Sequence, residues 1–242
     1  MKNLLYLLIF SLLLGEYTKA NELDSLLTTL VQQKKEDTNK VKTLFHLVEY
    51  YSDNYFDSSL YYIKAAEKLT KKLNTTDFDY TLYTAYAEYY YNQNDYQATI
   101  SYLQKCKQIA TKKNDKLLLS KVLNNLSATY SRFGQHRLAI EYGLAALNSA
   151  IELNDTINLS NRDATVCRIY NDLKEYPKSI EYGKMGIIYG ERYKHANGTI
   201  ISYNNVAASY SGLFKLDSSK YYQQQALNLA LKTTMSFTSM LL

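Results

Sequence analysis

The chain has no tryptophan, one proline and eight glycines in 242 residues. That scarcity excludes a collagen-like rod and the Gly/Pro-rich disordered class. It also leaves long stretches free to run as helix, because these two residues break helices most strongly. Histidine is nearly absent too. His46, His136 and His195 occur without a histidine partner at i+3 or i+4, and H-E-x-x-H is missing. No glycine-rich phosphate loop and no nucleophile elbow is present. These gaps predict a protein that is not an enzyme and holds no cofactor or metal. Charge of one sign is lacking as well. Lys and Arg number 28 against 23 Asp and Glu, a net +5. The signs are interspersed, with short runs such as Lys71-Lys72 and Lys112-Lys113. They read as solvated faces, and no nucleic-acid partner is expected.

Long apolar runs are confined to the start. Met1-Lys2-Asn3 is a short basic opening, Leu4 to Leu14 is apolar apart from Ser11, and Thr18-Lys19-Ala20 offers small residues for cleavage. This pattern predicts a secretory signal peptide over 1–20, cut after Ala20, and a mature chain in the periplasm or outside the cell. No cysteine follows the apolar run, so a lipid anchor is not expected. Any membrane association would come through export or through a segment downstream.

What is abundant is tyrosine, 26 residues of it, and it is periodic. Tyr50, Tyr90, Tyr130, Tyr170 and Tyr210 follow one another at a constant interval, and Tyr62, Tyr102, Tyr142, Tyr182 and Tyr222 keep the same period. A strict period in this range marks stacked supersecondary units that bury their apolar faces against one another. Within the third unit, Leu123, Leu126, Tyr130 and Phe133 recur at helical spacing up to Gly134-Gln135. Leu138, Ile140, Tyr142, Ala145, Ala146 and Ile151 then line a second helix that ends at Asn154-Asp155. Asn74 and Asn114 occupy the place of Asn154, so the stop recurs. Pro177 falls just inside a helix start, where its missing N–H costs nothing.

Small residues form three further columns: Ala87, Ser127, Cys167 and Ala207 (with Leu47 the exception); Ser59, Thr99, Ala139, Ser179 and Ser219; Ala66, Cys106, Ala146, Gly186 and Ala226. With its paired aromatics, this arrangement resembles the tetratricopeptide repeat (TPR) family, over about residues 40 to 234. The period of 40 exceeds the family's usual 34, and the consensus Trp and terminal Pro are absent. The length also suits HEAT-type arrays; the small columns and paired aromatics favour the tetratricopeptide type. The long repeat is similar to that of secreted TPR proteins and sensor ectodomains of Bacteroidetes-type bacteria.

The resemblance implies an all-α, right-handed superhelical solenoid of about five helix-turn-helix repeats, at about 40–79, 80–119, 120–159, 160–199 and 200–234. Residues 21–39 read as an N-terminal capping helix and linker, with Asp24-Ser25 as a helix start. Residues 235–242 read as an uncapped apolar tail in the connection after the fifth repeat, which predicts a truncated form of a longer protein. Cys106 and Cys167, in different repeats and small columns, read as buried thiols rather than a bridge. The sequons at Asn74, Asn125, Asn158 and Asn197 are expected from an Asn-rich composition, and no glycosylation is assigned.

The function implied is binding of a protein or peptide segment in a concave groove lined by the first helix of each repeat. Carried onto this chain, the groove positions include Tyr51, Glu88 and Tyr91 in the first two repeats. Lys121, Asn124, Asn125 and Arg132 follow in the third, Arg168 and Asn171 in the fourth, and Asn204 in the fifth. Asn and Arg would hold a peptide backbone or carboxylate, and the tyrosines would give flat apolar contact. The position that starts the chaperone clamp of some relatives holds Leu44, Thr84, Asn124, Ala164 and Asn204, so chaperone binding is not expected. The second reading is a ligand-sensing ectodomain whose membrane and output modules lie elsewhere. Tyr130→Ala is expected to cost about 3–5 kcal/mol in a denaturant titration, and a loss under about 1 kcal/mol would place the tyrosine column in solvent.

Overall fold

The computed structural model describes residues 21–52 and 56–240. The expected leader lies outside them, as do the last two residues of the tail. Among the described residues all regular structure is helical. Helix α1 spans residues 21–32. It is followed by α2 (Thr38–Ser52), α3 (Phe56–Lys72), α4 (Asp79–Asn92), α5 (Tyr96–Lys112) and α6 (Lys116–Arg132). Then come α7 (His136–Glu152), α8 (Thr156–Asp172), α9 (Tyr176–Arg192), α10 (Ala196–Gly212) and α11 (Leu216–Met240). The chain divides into two compact units that part between Cys106 and Lys107, inside α5. In the first, α2 packs on α3 and α4 packs on both. In the second, α6 pairs with α7, α8 with α9 and α10 with α11, while α6, α8 and α10 lie side by side.

A left-handed residue recurs every 20 positions, at Asn74, Asn94, Asn114, Gly134, Asn154, Lys174, Lys194 and Phe214, with φ between 48° and 77°. Each ends a helix in the same way. After α4, the Asn94 N–H donates to Tyr91 O at 3.0 Å and the Asp95 N–H to Tyr90 O at 2.9 Å. These are the two closing bonds of a Schellman motif, which satisfy carbonyls the helix leaves open. From Asn94 onward the residue that follows then starts the next helix, whereas after Asn74 α4 begins only at Asp79. The Asp95 carbonyl accepts from Thr99 N at 3.0 Å, and its carboxylate accepts from Ala98 N. The backbone bonds repeat at Asp115, Gln135, Asp155, Glu175, His195 and Lys215. One short connection therefore caps two helices. From α5 to α10 each helix has 17 residues. Two such helices with their three-residue connections make up one tyrosine period.

The last helix departs from this rule. The next stop would fall at Thr234, where α11 instead continues to Met240. A β-branched residue resists positive φ where Asn tolerates it. Helix therefore continues through residues that align with the connections after earlier repeats.

Between the paired helices the tyrosines stack face to face. Tyr130 lies on Tyr142 with ring centroids 5.3 Å apart and planes 7° off parallel. Tyr90–Tyr102, Tyr170–Tyr182 and Tyr210–Tyr222 repeat the geometry at 5.4–5.6 Å. In the first repeat Tyr51 takes the stacking place on Tyr62, and Tyr50 meets Tyr51 edge-on. The small columns are buried throughout, from Ala66 and Cys106 at 0% to Ser219 at 5% exposure. Both cysteines are buried free thiols, and burial raises both pKa values, that of Cys167 to about 11. Three residues of the expected apolar stripes face solvent instead: Phe133, Ala145 and Ile151. Leu147 and Ala150 carry the core of α7 in the places of the last two. Pro177 stands in the first turn of α9 as expected.

Phe214 is 89% exposed at φ 56°, so its ring gains little burial while its backbone is strained. Phe214→Gly is expected to raise stability by about 1 kcal/mol in a urea titration; an unchanged or lower midpoint would mean that the conformation there is unstrained.

Candidate peptide-binding surface

The first helix of each pair carries the residues expected to face a ligand. In the second unit, polar side chains tie these helices together. Arg168 Nη1 on α8 donates to Ser131 Oγ on α6 at 3.1 Å and to Asp172 Oδ2 at 3.3 Å. Ser131 Oγ donates to the same Asp172 oxygen at 3.2 Å. Asn205 Nδ2 on α10 donates to Ala164 O on α8 at 3.0 Å. The network holds Arg168 in one orientation with a third of its side chain exposed. A pre-positioned guanidinium is a good receptor for a carboxylate or carbonyl, since little rotamer entropy is left to lose.

Of the other expected positions, Lys121, Asn125 and Arg132 on α6 and Asn204 on α10 are exposed, and Asn171 on α8 is half-buried. Asn124 does not join them in the same way, because its Oδ1 is buried without a hydrogen-bond partner. The equivalent Thr84 shows where this position looks: its hydroxyl lies 3.6 Å from Cys106 Sγ in the second helix of its own pair.

The first unit is described by itself. Glu88 on α4 is exposed, and Asn92 Nδ2 donates to Ser52 O on α2 at 3.3 Å. The two tyrosines expected to offer flat surfaces are engaged locally. Tyr51 is stacked on Tyr62, and Tyr91 packs edge-on against Tyr96 at 5.9 Å. Sequence reasoning missed Ser131, Asp172 and Asn205. The signal for the first two was polar residues lying close to one repeat apart, Ser131 with Arg168 and Asp172; Asn205 bonds a backbone carbonyl, that of Ala164, which leaves no such signal.

One stretch of α8 breaks the apolar pattern outright. Arg162 and Asp163 replace Val122 and Leu123 of α6, yet they are only 5% and 2% exposed. Asp163 Oδ2, Arg162 Nε and Nη2, and Ser202 Oγ have no hydrogen-bond partner. Glycines make room for this polar core. A Cβ on Gly186 would sit 2.4 Å from Ser202 Oγ and 3.2 Å from Asp163 Cβ. Ser160 Oγ donates to Gly186 O at 2.8 Å, as Ser120 Oγ does to Ala146 O at 3.2 Å. Burial alone pushes the Asp163 carboxyl up to about 7. Among the described residues no group of three His, Cys, Asp or Glu is placed to hold a metal ion.

Residues 79–152 match the tetratricopeptide repeat family model. Solved structures share the fold at low identity. A STAND signal-transduction ATPase with a tetratricopeptide repeat sensor, from Pyrococcus horikoshii, superposes with a TM-score of 0.70 at 18% identity. The match covers 84% of this chain and 32% of that one, so this chain spans about a third of that protein's length. BtubC from P. vanneervenii gives 0.71 at 12% identity, over 90% of this chain and 92% of that one. Aspartyl phosphate phosphatase F from Bacillus subtilis gives 0.62 at 16%, over 79% and 60%. No curated protein sequence matches this one. The all-α architecture of TPR-like helix pairs is thereby shown.

The Asp163 carboxyl has a consequence for stability. It binds its proton up to about pH 7 in the folded chain, and only up to about 3.8 when unfolded. Between those values the folded state holds the extra proton, so stability falls as pH rises, by about 1.4 kcal/mol per unit at most. Denaturant midpoints of wild type and Asp163→Asn across pH 4 to 7.5 check this. The slope should flatten in the variant, and identical slopes would refute it.

Proposed function

We propose that this chain is a non-catalytic scaffold that binds a protein or peptide segment across the first helices of its repeats. The observation that carries the reading is the Ser131–Asp172–Arg168 network. It spends two polar side chains, Ser131 and Asp172, on fixing one partly exposed guanidinium between two helices. Lys121, Asn125 and Arg132 extend that surface along α6, and Asn204 extends it on α10. Donors dominate, so the matching ligand is rich in acceptors: peptide carbonyls, carboxylates or a free C-terminus. The leader-like residues 1–20 support export, which would place the partner in the periplasm or outside the cell. No helix among the described residues is long and apolar enough to cross a membrane.

Purified residues 21–242 would be used to capture partners from an envelope extract, and the captured segment would then be titrated calorimetrically. Arg168→Ala with Asn125→Ala should weaken binding about tenfold or more while helicity is retained. Equal binding by the variant would remove the surface from the account. Failure to capture any protein, together with a co-purifying small molecule seen in native mass spectrometry, would favour the sensing reading.

A further inference from the structure

A second cleft, on different elements, has its own chemistry. In the first unit the end of α1, the start of α2 and the outer face of α3 enclose about 650 Å³. Its floor is apolar, from Leu30, Leu44, Ala65 and Leu69. Its rim is cationic: Lys64, Lys68 and Lys72 stand one turn apart along α3, with Lys40 across from them on α2. Side chains four apart on a helix form a single ridge, here about 12 Å long. Glu36 is the one acidic residue in the lining. Its carboxylate is hydrogen-bonded to Lys72, and that bond holds it below the usual carboxylate range. Lys40 Nζ donates to Gln33 O at 3.0 Å. Lys64 and Lys68 are left exposed on the rim.

The second unit supplies an internal comparison. A cleft of about 680 Å³ lies between α9, α10 and α11. Its Gly190, Ala196, Gln225, Asn228, Leu229 and Lys232 sit four repeats after Leu30, Glu36, Ala65, Lys68, Leu69 and Lys72. The cleft is thus a product of the repeat geometry. The lysines are not. The counterparts of Lys64 and Lys68 are Gln224 and Asn228, and these bond to each other at 2.9 Å. Along α5 they are Gln104 and Gln108, along α7 Leu144 and Asn148, and along α9 Lys184 and Ile188. Only α3 among the five second helices has lysine at all three ridge positions, beside an apolar floor.

We infer that the α1–α2–α3 cleft docks an acidic amphipathic helix of a partner protein. Glutamates one turn apart on that helix meet the Lys64–Lys68 ridge, and its leucines cover the floor. Glu36 on Lys72 already shows how a carboxylate is held there. A helix, rather than a small anion, fits the cleft because the cations are spread along one line beside apolar surface. This site is separate from the surface proposed above and does not depend on it.

Fluorescence anisotropy with the full chain tests the inference. The probe is a labelled peptide of Ala, Leu and Glu, with Glu at every fourth position and Leu on the adjoining stripe. Saturable binding that weakens with salt is expected. Lys64→Glu with Lys68→Glu should reduce affinity about tenfold or more, and the Lys→Arg pair should retain it. Arg168→Ala should leave it unchanged, which separates this site from the first. A peptide with Lys in place of Glu should not bind. A Kd weaker than about 1 mM, or no effect of the charge reversal, would overturn the inference. So would tighter binding of a single-stranded oligonucleotide or of phosphatidylserine vesicles than of the peptide.

Discussion

The structure depends on one backbone event that recurs every 20 residues from Asn74 to Phe214, a helix stop in the left-handed conformation. Each stop closes a helix with two hydrogen bonds, and from Asn94 onward it hands the next residue over as the start of the following one. Such short connections leave no slack, so in the second unit every helix turns back onto its predecessor at the same phase. The period is therefore twice a helix-plus-stop length. It is 40 and not 34 because the helices themselves are longer, at 17 residues. Asn and Gly fill most of the stops at little cost, while Lys174, Lys194 and Phe214 carry backbone strain that the flanking bonds and packing must overcome.

Once the phase is fixed, side-chain chemistry follows position. Rings at the ends of paired helices fall opposite one another and stack, and small residues fall where backbones approach. Polar residues on neighbouring first helices fall within reach across the repeat, as Arg168 does to Ser131. Variation is concentrated where the phase imposes nothing. The α3 lysine ridge and the buried Arg162–Asp163 pair are both departures from an otherwise repeated pattern. Departures of this kind cost stability or solvation, which makes them the places to look for function.

The fold was legible because periodicity is a property of many residues at once. Ten tyrosines in register and three small columns outweighed any single misfit, and the helix pairs followed. The exceptions were local. Phe133, Ala145 and Ile151 are apolar and near the right phase, yet the burial stripe is carried by their neighbours. Thr234 ends the series of stops through its β-branch, a detail the spacing alone could not convey. The surface was less readable. Arg168, Lys121 and Arg132 were expected to face a ligand from their positions on the first helices. Tyr51 was expected to offer a flat surface, and its ring takes the place of Tyr50 in the stack on Tyr62. Ser131, Asp172 and Asn205 were missed because a contact between helices is set by crossing geometry, not by a column. The α3 ridge was visible as lysines and invisible as a site, since the floor beneath it comes partly from α1 and α2.

Backbone chemical shifts of the isotope-labelled protein would test the central claim most directly, because they report the sign of φ at each position. The account predicts left-handed values at Asn74, Asn94, Asn114, Gly134, Asn154, Lys174, Lys194 and Phe214, with right-handed helical values within α2 to α11, Thr234 included. Right-handed values at Lys174, Lys194 and Phe214 would contradict it, since the recurring stop would then belong to asparagine and glycine alone and not to the architecture.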